Sequence, residues 1–172
     1  MPSRAPSAHL DPEFALPIVP VLLNCFYGPQ PNGGRCHDLG RAVAELIEDF
    51  PEDLRVTVIG SGGLWHTPMM PRSYINEEFD LGVLDFVQRG DGEGLAEFFD
   101  TYPQPFDLST EQGLALASGG TGMVTGLGSG TGETRNWIAA VAAAGGVPGE
   151  VIDYVQIGAS PIGVAFAHFK LD

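Results

Sequence analysis

Hydrophobic positions along this chain recur with two different periods, and the changes of period mark its elements. Leu16–Phe26 (LPIVPVLLNCF) is an almost unbroken apolar run, the pattern of a buried strand, with Pro17 and Pro20 near its start. Residues 27–34 (YGPQPNGG) interrupt it as a loop. Leu39, Ala42, Val43, Leu46, Ile47 and Phe50 then recur at helical spacing, with Arg41, Glu45, Glu48 and Asp49 on the opposite face. Asp38 is the predicted N-cap of this helix and Pro51 its stop. Leu54–Ile59 (LRVTVI) is a short β-rich run, broken by Gly60-Ser61-Gly62-Gly63. Strand, helix, strand in this order predicts a βαβ unit with parallel strands.

Further helices are predicted over 76–88, 94–102, 109–117 and 133–144. Phe79, Leu84, Phe86, Val87, Leu95, Phe98 and Phe99 are their expected inward residues, joined by Trp137, Ile138 and Val141 in the last, which Gly145 or Gly146 would cap. Residues 118–132 are too glycine-rich for anything but loop. Val151–Ile157 reads as a strand and Ile162–Phe169 as a last apolar segment. The predicted fold class is α/β, a mixed and mostly parallel sheet flanked by helices. Residues 1–13 form a polar leader and 14–172 a single domain without internal repeats.

Composition narrows the function classes. With 172 residues, 44% of them hydrophobic, the chain can build a real core. Its 22 acidic against 8 basic residues give a net charge of −14. Such a chain has no dense basic face for nucleic acid and would be repelled by anionic lipid. The apolar run Ile18–Leu23 is too short to span a membrane and contains Pro20. Met1–Asp11 has no apolar core of a signal peptide, so the cytoplasm is the expected compartment. Cys25 and Cys36 make no disulfide framework and are expected to be free thiols.

Two residues stand where chemistry could occur. His66 follows the glycine run that ends a predicted strand, and in parallel α/β sheets ligands gather at such carboxyl ends. Histidine both takes up and releases protons near neutrality, which makes His66 a candidate acid/base; a hydrogen-bonded loop histidine would fit the same position. Glu133 opens a helix after the long glycine loop, where the helix dipole favours an ionised carboxylate. That carboxylate could bind Fe(II), Mn(II) or Mg(II), or could simply complement the dipole. The glycine loop itself lacks the G-x-G-x-x-G spacing and any Gly-Lys-Ser/Thr, which argues against a nucleotide cradle. His9, in the leader, and His37, beside Cys36, carry no zinc spacing; His168 lies in an apolar terminal segment; Ser61 lacks the hydrolase elbow.

The blocks IVPVLLNCFYGPQP, RCHDLGRAV, LRVTVIGSGGLWH, INEEFD, GETRNWIAA and DYVQIGASPIGVAFAHF, in this order, resemble class III extradiol ring-cleavage dioxygenases of the protocatechuate 4,5-dioxygenase β-subunit type. The resemblance covers nearly the whole chain after about residue 14 and is to the C-terminal half of that fold. It implies an enzyme that opens a catechol-type aromatic ring beside its two hydroxyls, using non-haem Fe(II) and O2. The family holds its iron with two histidines and one carboxylate. The resemblance places the carboxylate on Glu133 and the acid/base on His66, which would take a hydroxyl proton and later return one. Both iron histidines of the family lie in the N-terminal half, and none of His9, His37 or His168 matches their motifs. The implied iron site is therefore incomplete, and the expected partner is an N-terminal-half subunit or a homo-oligomeric copy. The alternatives are a non-catalytic assembly subunit and a truncated, inactive relative.

Overall fold

A computed structural model of the chain describes residues 16–25, 29–66, 74–103 and 130–171. In chain order these residues form helices α1 (Gly33–Glu48), α2 (Glu77–Arg89), α3 (Gly92–Thr101) and α4 (Thr134–Ala143), then strands β1 (Gly149–Ile157) and β2 (Ile162–Phe169). The leader, the predicted helix over 109–117 and most of the loop 118–132 lie outside the described residues.

Helix α1 begins earlier than the sequence predicts. Asn32, not Asp38, is the N-cap, and its Oδ1 accepts from the Arg35 amide at 2.8 Å. The carboxylate of Asp100, from the end of α3, accepts from Gly33 N at 2.7 Å and Gly34 N at 3.2 Å. A tertiary contact thus satisfies the first orphan donors, which lets two glycines start a helix that their propensity opposes. The buried face of α1 is also narrower than its apolar spacing implies. Gly33, Cys36 and Gly40 are buried, whereas Leu46 and Phe50 are 70% and 51% exposed. Gly40 faces the α4 backbone, and a Cβ there would collide with Ala139 O. The two helices meet through small residues, so the larger side chains beside them stay outside.

Helices α2 and α3 follow their predicted patterns closely. Asn76 caps α2 by accepting from Phe79 N at 3.2 Å, and Gly90 closes it in the left-handed region at φ 66°. Asp91 caps α3 by accepting from Gly94 N at 2.8 Å. Their inward faces bury Phe79, Val83, Leu84, Val87, Leu95 and Phe99, while Phe86 and Phe98 are partly buried against them. Ile138 and Val141 of α4 join the same core. Burying each such side chain contributes about 1.5–3 kcal/mol.

The sheet differs from the expectation. The described strands form one antiparallel hairpin, β1 to β2, with Tyr154 opposite Ala165 and Val155 opposite Val164. The fold is α/β in content, but no parallel pair occurs among the described residues. Residues 16–25 and 54–60, the two strands of the predicted βαβ unit, join no ladder there. Their apolar side chains stand in solvent: Val19 is 87% exposed, Leu22 94% and Ile59 66%. Apolar β-rich sequence favours a strand only when a neighbour supplies the ladder, and the described elements supply none. No helix among the described residues is long and apolar enough to cross a membrane.

Candidate functional site

Chain segments distant in sequence bring His66 and Glu133 together. The stretch Gly62–His66 runs between the start of α4 and the start of β2. Leu64 N donates to Gly163 O at 3.2 Å, Gly163 N to Trp65 O at 3.0 Å, and His66 N to Gly130 O at 3.0 Å. On the other side, Trp137 Nε1 of α4 donates to Gly62 O at 2.9 Å. The glycine at 62 is what permits this approach, since a Cβ there would come within 2.7 Å of Glu133 O.

Glu133 occupies the N-cap position of α4 without capping it. Its side chain turns instead to the glycine run, where Oε2 accepts from Gly63 N at 2.6 Å. The other oxygen, Oε1, lies 3.7 Å from His66 Nε2. His66 is buried, and its Nδ1 lies 3.1 Å from Leu64 O. A carbonyl can only accept, so in the neutral ring this geometry assigns the proton to Nδ1. Nε2 is then the bare nitrogen, and it faces the carboxylate side. The pair thus places an imidazole nitrogen and a carboxylate oxygen a few ångströms apart, and Glu133, though not His66, lines a cleft of about 410 Å³ together with Leu22, Cys25, Ile59 and Gly62. A larger cleft of about 490 Å³ opens among His37, Arg41, Glu45 and Asp91, and neither His66 nor Glu133 borders it.

The other sequence candidates lie apart from this pair. His37 lines that larger cleft, and His168 sits in the hairpin with Nε2 3.6 Å from Glu150 Oε2. His9 lies outside the described residues. Cys25 and Cys36 are free and buried, and burial pushes the Cys36 thiol up to about 11. Arg135, two residues after Glu133, is a buried clamp: Nε donates to Pro31 O at 2.6 Å, Nη1 donates to Gly132 O at 3.0 Å, and the guanidinium lies 4.8 Å from the Phe99 ring centre.

Asp80 is a residue the sequence reading missed. It is fully buried, accepting from Trp65 N at 2.7 Å and from Tyr154 Oη at 2.9 Å. Burial pushes its carboxyl up to about 6, against the pull of those two donors. The signal was available, because Asp80 falls at helical spacing on the same stripe as Val83, Leu84 and Val87.

An Fe(II) triad needs three donors converging on one point. Among the described residues no three of His, Cys, Asp and Glu converge in this way. Glu133 has one carboxylate oxygen to offer, and the described residues do not by themselves fit an iron site.

The family described as catalytic LigB subunit of aromatic ring-opening dioxygenase matches residues 10–117, more than half of the chain. The chain belongs to this family. The matched stretch contains His66; Glu133 lies beyond its end. Among curated relatives of the ring-opening dioxygenases, gallate dioxygenase from Pseudomonas putida is 35% identical over 78 residues, 45% of this chain and 23% of that enzyme. The 2,3-dihydroxyphenylpropionate/2,3-dihydroxicinnamic acid 1,2-dioxygenase of Photorhabdus laumondii is 43% identical over 69 residues, 40% of this chain and 21% of that enzyme. Its counterpart from Mycobacterium ulcerans is 44% identical over 57 residues, 33% of this chain and 18% of that enzyme. The chain thus spans less than a quarter of the length of each of these relatives.

Proposed function

We propose that this chain supplies the acid/base histidine and the carboxylate ligand of a dioxygenase that opens aromatic rings bearing adjacent hydroxyls. The observation that carries this reading is the facing pair, His66 Nε2 and Glu133 Oε1, 3.7 Å apart, with His66 Nδ1 3.1 Å from the Leu64 carbonyl on the far side of the ring. A bare Nε2 can take a proton from a ring hydroxyl as the substrate enters and return it later. Gallate and 2,3-dihydroxyphenylpropionate, for which the relatives are named, are both aromatic rings with neighbouring hydroxyls, and this supports the substrate class.

The Fe(II) and O2 of the reaction call for ligands beyond the described residues. In this reading two histidines come from further polypeptide of the family's fold, a partner subunit or a copy of the chain. That polypeptide docks on the exposed apolar residues of 16–22 and 54–59, which border the cleft at Glu133 through Leu22 and Ile59. Residues 14–172 act as one domain, in the cytoplasm.

The test is anaerobic loading with Fe(II) and a catechol, followed by admission of O2. It is run on the chain alone and together with a polypeptide carrying the two-histidine half. A yellow ring-opened product that requires the second polypeptide is expected. No product in either arm would overturn the catalytic reading. The second reading, an assembly subunit without chemistry, is favoured by the same exposed apolar surface; bound iron below about a tenth of an equivalent in the reconstituted complex would select it.

A further inference from the structure

Among the described residues the backbone of residues 64–66 makes four hydrogen bonds to other segments, and one differs in kind from the rest. Three are backbone pairs, to Gly163 twice and to Gly130 once. The fourth runs from Trp65 N to the side chain of Asp80, at 2.7 Å. The second oxygen of Asp80 accepts from Tyr154 Oη on β1 at 2.9 Å, so one carboxylate from α2 ties the histidine segment to the hairpin. Asp80 has no exposed surface and shares its helix face with Val83, Leu84 and Val87. An apolar side chain would pack on that face without the cost of burying a carboxylate. The surroundings are also shaped for it: a Cβ at position 163 would collide with Asp80 Oδ2, so glycine there leaves room for the carboxylate. What the cost secures is a fixed amide immediately before His66.

We propose that Asp80 is a positioning residue for His66. By holding the Trp65 amide it keeps the Leu64 carbonyl on His66 Nδ1 and leaves Nε2 bare toward Glu133. Asp80 itself touches neither the cleft nor Glu133. The functional value of this rests on the reading of His66 as the acid/base, but the geometry can be tested without any reaction.

The measurement is a two-bond proton–nitrogen spectrum of the full chain with labelled histidine, His66 being assigned by comparison with His66→Gln. In the unaltered chain His66 should appear as the Nδ1–H tautomer. In Asp80→Ala the ratio of Nδ1–H to Nε2–H should fall about fivefold, the worth of one net hydrogen bond. Asp80→Asn should restore it, because Asn Oδ1 still accepts from the Trp65 amide. A purely structural role would lower the melting temperature and leave the tautomer ratio of the folded protein alone. Tyr154→Phe removes a single hydroxyl and decides the matter if Asp80→Ala does not fold: a smaller fall in the same direction supports the proposal. An unchanged ratio in a folded variant overturns it, as does an Asp80→Asn spectrum resembling that of the alanine variant. The spectrum requires neither iron nor ring opening. A failed oxygenation test would therefore sink the dioxygenase reading and leave this result standing.

Discussion

Gly63 N donates to Glu133 Oε2 at 2.6 Å, a direct bond between the glycine run before His66 and the start of α4. It splits the work of one carboxylate: Oε2 is anchored to backbone, and Oε1 is turned toward His66 Nε2. Glu133→Gln keeps a carbonyl oxygen for the Gly63 amide and loses the charge. Its stability should stay within about 1 kcal/mol of the unaltered chain in urea unfolding. If Glu133 holds the metal as proposed, the reconstituted ring-opening activity should fall by about 10–100-fold. Full activity in this variant would remove Glu133 from the metal site.

His66→Asn provides the complementary test. An asparagine Nδ2–H can still donate to Leu64 O, where the ring Nδ1 sits at 3.1 Å, but nothing replaces Nε2. The expected loss in kcat is about 10²–10⁴-fold with iron content unchanged, the range for removal of a general acid/base. A variant that loses iron along with activity would mark His66 as a ligand rather than a proton carrier.

Asp80 gives a pH dependence whose sign is unusual for a carboxylate. Its folded pKa stands at about 6 against 3.8 for an ordinary aspartate, so between those values the native state holds a proton that the unfolded chain has released. Stability from this group is complete below about pH 4 and lost as pH rises to about 6, by about 3 kcal/mol in all. Trp65 N–H, Tyr154, Glu77 and His66 are the groups it faces, and burial outweighs their combined effect. Urea unfolding of Asp80→Asn and the unaltered chain across pH 4–7 isolates the effect. The asparagine variant should gain relative stability as pH rises, and a gap that does not vary with pH would refute the assignment.

Cys36 should be almost inert while the protein is folded. Burial raises its thiol from 9.0 to about 11, two units, which cuts the thiolate fraction near pH 8 about a hundredfold. A disulfide reagent applied at pH 8 should modify Cys36 at a rate limited by opening of the fold, and at an ordinary thiol rate in denaturant. Rapid modification of the native protein would contradict the packing of α1 against α4.

Sequence legibility followed the locality of each cause. Asn76, Asp91 and Gly90 act within a few residues of their own helices, and the patterns of α2 and α3 were readable almost to the residue. The start of α1 was not, because the Gly33 and Gly34 amides are satisfied by Asp100, 67 and 66 residues away. The apolar spacing of α1 also misled, since Gly40 rather than Leu46 decides which face meets α4. His66 and Glu133 were legible as separate candidates from their places after a glycine run and before a helix. Their meeting depends on the 2.6 Å bond between Gly63 and Glu133, a contact that no local pattern encodes. Asp80 was overlooked because an acid in a first turn normally serves the helix dipole, whereas this one turns inward.

The segments 16–25 and 54–60 are the instructive disagreement, and they make a prediction. Each has the composition of a strand, yet neither joins a ladder among the described residues, and Leu22 and Val19 are 94% and 87% exposed. If such residues only faced water, replacing them with lysine would be nearly neutral, within about 0.5 kcal/mol. If they are the surface on which the remaining half of the site docks, the same change would put a charge where apolar side chains are desolvated. Leu22→Lys, alone and with Val19→Lys, should therefore leave the thermal midpoint of the isolated chain unchanged. Both variants should weaken assembly with the proposed histidine-bearing polypeptide at least about tenfold, the effect of about 1.4 kcal/mol. Sedimentation velocity and recovery of ring-opening activity read the same step, so the two losses should run in parallel. Assembly at full strength in the double variant would move the docking surface elsewhere. A fall in the midpoint of the isolated chain would instead mean that these residues already pack within it.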